Sequence, residues 1–134
     1  MAKAAKEFGL QFTLENSTSG FCSTPLEMQE MLLHDTEKNI GITLDYYKAR
    51  SAGFTIDDFL TALSNRIFHF HYCDMTAGLE CRLLPDQGNA PITRVLAEMA
   101  SVMPSGYAIL EASGVKDITS LQNLPLLYKV WEES

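Results

Sequence analysis

Hydrophobic and polar positions alternate with period two in four short stretches of the chain. Leu10, Phe12 and Leu14 share one face of the first, with Gln11, Thr13 and Glu15 on the other. Ile40, Ile42 and Leu44 oppose Gly41, Thr43 and Asp45 in the second. In the third, Ile67, His69 and His71 oppose Phe68, Phe70 and Tyr72; in the fourth, Tyr107, Ile109 and Glu111 share a face. Alternation of this kind predicts β-strands, here near residues 10–15, 40–45, 66–72 and 107–111.

Helical signals fill the gaps. Ala2 to Phe8 is a short helical pattern with Gly9 as a C-terminal cap. Thr24-Pro25-Leu26-Glu27 is a capping box with proline at the first helical position, opening a helix to about Leu33. Tyr46 to Phe54 reads as loop. Thr55 caps a helix reaching about Asn65. Met75 to Ala90 is a long connection, a length usually tied to function or mobility. Pro91 opens an amphipathic helix with Ile92, Val95, Leu96 and Met99 on its buried stripe. Asp117 caps a last helical region, which Pro125 splits and in which Trp131 docks.

The order is therefore a helix followed by four βα units, with no hairpin signal and no repeat. Strands separated by helices imply parallel pairing. The predicted fold class is α/β, as one domain over 1–134, and 134 residues is roughly half of a standard (β/α)8 barrel.

Composition narrows the function classes. An apolar content of 46% is that of an ordinary globular chain. No run approaches the roughly 18 apolar residues of a membrane span, and the N-terminus has no apolar signal core. Cys22, Cys73 and Cys81 form no CxxC pair, which fits a reducing compartment. The expectation is a cytoplasmic protein. A net charge of −7 argues against a phosphate backbone as partner and hints at carboxylates gathered around a cation.

The chemistry lies at the strand ends. The four stretches finish in Glu15, Asp45, His71 and Glu111, each on the face opposite the helix-packing residues. All four therefore point to one side of the sheet, and in a curved parallel sheet they converge at one rim. Three carboxylates and an imidazole repel one another unless a cation neutralises them. An oxygen-rich set with one nitrogen suits Mn²⁺ or Mg²⁺, with Co²⁺ or Zn²⁺ as alternatives. The bland alternative is that acids at strand ends cap the next loop or helix, and that His71 is a hydrogen-bonded core histidine.

The segments Leu14-Glu15-Asn16, Thr43-Leu44-Asp45, Arg66 to Asp74 and Leu110-Glu111 resemble the C-terminal half of the xylose isomerase-like TIM barrels. The resemblance implies that Glu15, Asp45, His71 and Glu111 bind one divalent metal, and that Glu15 and Glu111 also move protons beside a carbonyl. Arg82-Leu83-Leu84-Pro85-Asp86-Gln87-Gly88 resembles the family's Arg-x-x-Pro-Gly-x-Gly loop, whose Arg contacts substrate oxygens. Asp86 replaces the first glycine there, and Arg82 also reads as a solvated loop charge. Lys48 stands where the family usually has a His. A lysine ammonium does not ligate a metal while protonated, so Lys48 is either a substrate-binding group or a plain loop lysine. His69 completes the candidate substrate-binding set.

The resemblance thus implies a metal-dependent isomerase or epimerase of a sugar or polyol, with dehydration as related chemistry. The alternative is a non-catalytic or incomplete half-barrel that needs a partner. Four strands alone leave two edges and a polar face open. The expectation is that two copies assemble, that a separate N-terminal half docks, or that the chain is part of a longer polypeptide. DNA repair is the weakest reading, given the acidic balance.

Overall fold

The computed structural model describes residues 1–36, 38–79, 83–113, 125, 128, 131 and 132. Four parallel strands lie in chain order: β1 (Phe12–Glu15), β2 (Ile40–Asp45), β3 (Ile67–Tyr72) and β4 (Tyr107–Leu110). The helices are α1 (Ala2–Glu7), α2 (Pro25–Leu33), α3 (Tyr46–Ser51), α4 (Ile56–Leu63) and α5 (Ile92–Val102), and a 3-10 turn spans Ser64–Arg66. This is the α/β order that the alternation predicts.

The local signals explain where the elements start. Thr24 closes a full capping box with Glu27: its hydroxyl accepts from the Glu27 N–H, and the Glu27 carboxylate accepts from the Thr24 N–H. Backbone donors from Thr24 and Ser23 hold that carboxyl below its usual range. Thr55 and Asp58 make the same reciprocal pair at the start of α4. On α5 the predicted stripe of Ile92, Val95, Leu96 and Met99 is buried.

One side of the sheet is packed by these helices. Ile42, Leu44, Ile67, Phe70 and Tyr72 are buried there in one apolar cluster with Met28, Phe59, Leu63, Leu96 and Met99. The Phe70 and Tyr72 rings stack with centroids 6.3 Å apart. At the lower end of β2, Asp35 accepts from the Ile40 N–H at 2.8 Å and pairs with Arg66, which also donates to the Ile40 carbonyl. Burial alone would raise the Asp35 carboxyl; the Ile40 N–H and the Arg66 guanidinium outweigh it and hold the pKa below the ordinary value.

Two predictions about orientation and boundary change. Between β2 and β3 the register shifts, so that Ile42 pairs with Ile67 but Thr43 pairs with His69. Phe68 is the extra residue, a bulge that breaks strict alternation. Ile67 is consequently buried in the helix-side cluster rather than sharing a face with His69. Phe68 instead lies over Gly41, whose absent side chain makes the room: a Cβ there would fall 1.8 Å from the Phe68 ring. Second, residues 46–51 are helix, not loop. Asp45 caps α3 by accepting from the Lys48 N–H at 2.7 Å. Asp117 lies outside the described residues; Trp131 is helical and packs against the apolar cluster.

Candidate metal centre

The register on the uncovered side of the sheet decides the site. Glu15 pairs with Thr43, Asp45 pairs with His71, and His71 pairs with Ile109, two residues before Glu111. Paired residues of parallel strands point to the same side, so the four strand-end groups rise from one face. One ligating atom from each of Glu15, Asp45, His71 and Glu111 lies within 4.8 Å of the others. Asp45 is 2% exposed, whereas Glu15 is open to solvent.

Hydrogen bonds knit the group. His71 Nδ1 is 3.0 Å from Glu15 Oε1 and 3.0 Å from Glu111 Oε2. With its proton on Nδ1, the ring donates to Glu111 Oε2, while Glu15 Oε1 stands at ion-pair distance. Lys48 Nζ stands 2.7 Å from Glu15 Oε2 and 3.8 Å from Asp45 Oδ2. The Glu111 N–H donates to the Tyr72 carbonyl at 2.8 Å, which carries the β3–β4 ladder one step past β4 and sets Glu111 at the rim.

Asn16 is the residue that sequence reasoning missed. It is 1% exposed. Its Oδ1 accepts from the Asp45 N–H at 2.6 Å, and its Nδ2 donates to the Asp45 carbonyl at 3.1 Å. A side-chain amide thus imitates the backbone of a next strand residue and locks the tip of β1 to the tip of β2. The only sequence signal is its place directly after Glu15, because the contact spans 29 positions. Below the rim, the Thr43 hydroxyl reaches Thr13 Oγ1 at 2.9 Å on the same face.

The candidate substrate-binding residues separate. Lys48 sits in the cluster, carried by α3. Arg82 lies outside the described residues. His69 lies two positions below His71, its ring stacked on Tyr107 at 5.7 Å, with a buried Nδ1 that meets no hydrogen-bond partner. It lines a cavity of about 350 Å³ at the opposite ends of β3 and β4, with Gln11, Phe68 and Met103. A larger cavity of about 450 Å³ lies on the helix side between α4, α5 and the 75–79 segment. Neither is lined by the four clustered residues.

The loop after β3 is organised by Asp74, which is buried. Its carboxylate accepts from the N–H groups of Met75, Gly88 and Ala90 at 2.8, 2.8 and 2.9 Å. A Cβ on Gly88 would come within 2.5 Å of that carboxylate, so glycine is required there. Asp86 takes φ +69°, the left-handed conformation that glycine adopts freely and aspartate tolerates better than most residues.

The donor chemistry fits a divalent ion. Three carboxylates less one ammonium leave two negative charges, and three oxygen donors with one imidazole match a hard or borderline cation.

Comparison with known proteins agrees with the geometry. The model of a family described as xylose isomerase-like TIM barrel matches residues 1–128. Among solved structures, a D-tagatose 3-epimerase-like protein matches with TM-score 0.72 and 21% identity, over 98% of this chain and 52% of its own. A xylose isomerase domain protein from Alicyclobacillus acidocaldarius subsp. acidocaldarius matches with TM-score 0.77 and 18% identity, over 98% and 55%. A probable 3-DHS dehydratase from Bacillus anthracis matches with TM-score 0.74 and 19% identity, over 93% and 52%. The chain spans about half the length of these structures. No curated protein sequence matches significantly.

Proposed function

Because the chain belongs to the xylose isomerase-like TIM barrel family, we propose that it carries the metal-binding half of a sugar or polyol isomerase or epimerase. The reaction is proton transfer at a carbon beside a carbonyl. The observation that carries this reading is the meeting of four donor atoms, from the ends of four successive strands, within 4.8 Å. A divalent ion held by Glu15, Asp45, His71 and Glu111 would supply electrostatic polarisation of the substrate carbonyl. Mn²⁺ or Mg²⁺ suits this donor set best, with Co²⁺ or Zn²⁺ as alternatives.

The chain's own residues do the rest. Glu15 and Glu111 come from the two edges of the sheet, with Asp45 and His71 between them. Their carboxylates therefore flank the cluster, which suits one as base and the other as acid. Without the ion, His71 Nδ1 stands 3.0 Å from both glutamates, and an ion held among them would take the place of those contacts. Asn16 fixes the Asp45 backbone, and Lys48 offers a donor to a substrate hydroxyl, carboxylate or phosphate. The similarity to a probable dehydratase keeps elimination of water within the same chemistry, since it begins with the same proton abstraction.

A second reading has its own observation. The chain covers only 52–55% of the three solved structures compared above. On this reading the half-barrel holds a metal or a partner, and turns over only when a second copy or a separate N-terminal half covers the open face.

The test is a screen of ketoses and inososes with Mn²⁺ present, alongside metal uptake and mass in solution. Glu111→Gln is expected to cut turnover by about 10²–10⁴-fold, the usual worth of a general acid or base. Unchanged turnover in that variant would take Glu111 out of proton transfer. A well-ordered monomer that takes up Mn²⁺ and turns over nothing would favour the second reading.

A further inference from the structure

We propose that the Lys48 ammonium is a built-in counter-cation of the cluster, so that a divalent ion enters by exchange against it. The proposal rests on the reading of Glu15, Asp45, His71 and Glu111 as ligands.

The placement of Lys48 follows from α3. Asp45 caps that helix through Oδ1, and the N–H it accepts from is that of Lys48. The same carboxylate thus fixes where the lysine stem starts. From there Nζ reaches Glu15 Oε2 at 2.7 Å and Asp45 Oδ2 at 3.8 Å. One ammonium therefore engages two of the four donor residues. While it does so, those oxygens are not fully available to an incoming ion, and like charge opposes the ion's approach. Protonated lysine has no lone pair to join the coordination sphere. Its flexible four-carbon stem lets it swing aside.

The two roles of such a lysine pull in opposite directions. In the metal-free chain it offsets repulsion among three carboxylates. In the metal-loaded chain it is a competitor. Removing its charge should weaken the empty protein and strengthen metal binding. A lysine that merely lay on the surface would move neither quantity. One that merely held α3 in place would lower both.

The experiment compares the unaltered chain with Lys48→Met and Lys48→Arg. Mn²⁺ affinity is measured by calorimetry, and thermal unfolding with and without EDTA. Lys48→Met should bind Mn²⁺ roughly tenfold or more tightly, since one nearby like charge has gone. Its metal-free unfolding midpoint should fall, and Lys48→Arg should stay near the wild type in both. Lys48→Gln gives the same comparison should Lys48→Met not fold. Unchanged or weaker Mn²⁺ binding in the neutral variants, with wild-type binding intact, overturns the exchange proposal alone. Absence of Mn²⁺ uptake in the wild type and every variant overturns the ligand reading and this proposal with it.

Discussion

The two faces of the sheet obey different rules. On the helix side, Ile42, Leu44 and Phe70 are completely buried, and every strand contributes to one continuous apolar layer. On the other side, Tyr107 is 67% exposed and Ile109 47%, while the rim above them holds acids, an imidazole and an ammonium. The same four strands thus build a finished core on one face and an open, polar-tipped surface on the other. Folding energy is concentrated where the helices lie. The open face is free to carry charge, at the expense of leaving large apolar side chains in water.

Three substitutions would break or sharpen this contrast. Phe70→Ala should be the most damaging, at about 3–5 kcal/mol in urea unfolding, because it removes a fully buried ring and leaves a cavity. A loss below about 1 kcal/mol would show that the helix-side layer is not the core. Asn16→Ala should cost about 1–3 kcal/mol, by removing the acceptor of the buried Asp45 N–H and one donor to its carbonyl. The same variant should weaken Mn²⁺ binding in calorimetry. Normal stability would mean that water replaces the amide and that the rim belongs with the open face. Tyr107→Ser should matter least, within about 0.5 kcal/mol. A clearly larger loss that grows with protein concentration would mean that a second copy covers this face in solution.

Much of the fold was legible because its signals are local. The Thr24-to-Glu27 box and the α5 stripe each report on neighbours within a few residues, and α2 begins and α5 buries as they indicate. The gathering of Glu15, Asp45, His71 and Glu111 followed from counting parity to the ends of strands. Parity failed where the ladder slips. Ile67 faces the helices and Phe68 crosses over Gly41, and that irregularity depends on contact between two strands, which no single strand encodes. Helix α3 was hidden for a related reason. Asp45 looked like the last residue of a strand and is also the cap of the next helix, while Tyr46 to Ser51 has too few residues to show an apolar period. Asn16 was invisible because its partner lies 29 residues away.

The clamp that Asp74 places on the loop after β3 has a consequence for how this protein can diversify. One carboxylate ties down Met75 at the start and Gly88 and Ala90 at the end, while the Asp74 backbone pairs with Leu83 through both its N–H and its carbonyl, and Leu84 is buried in between. Loop-closure entropy grows only slowly with length. Insertions at the exposed Ala77-Gly78 turn, outside these contacts, should therefore be absorbed without disturbing the sheet. Variation can be confined to that turn, while Asp74, Leu83 and Gly88 stay fixed.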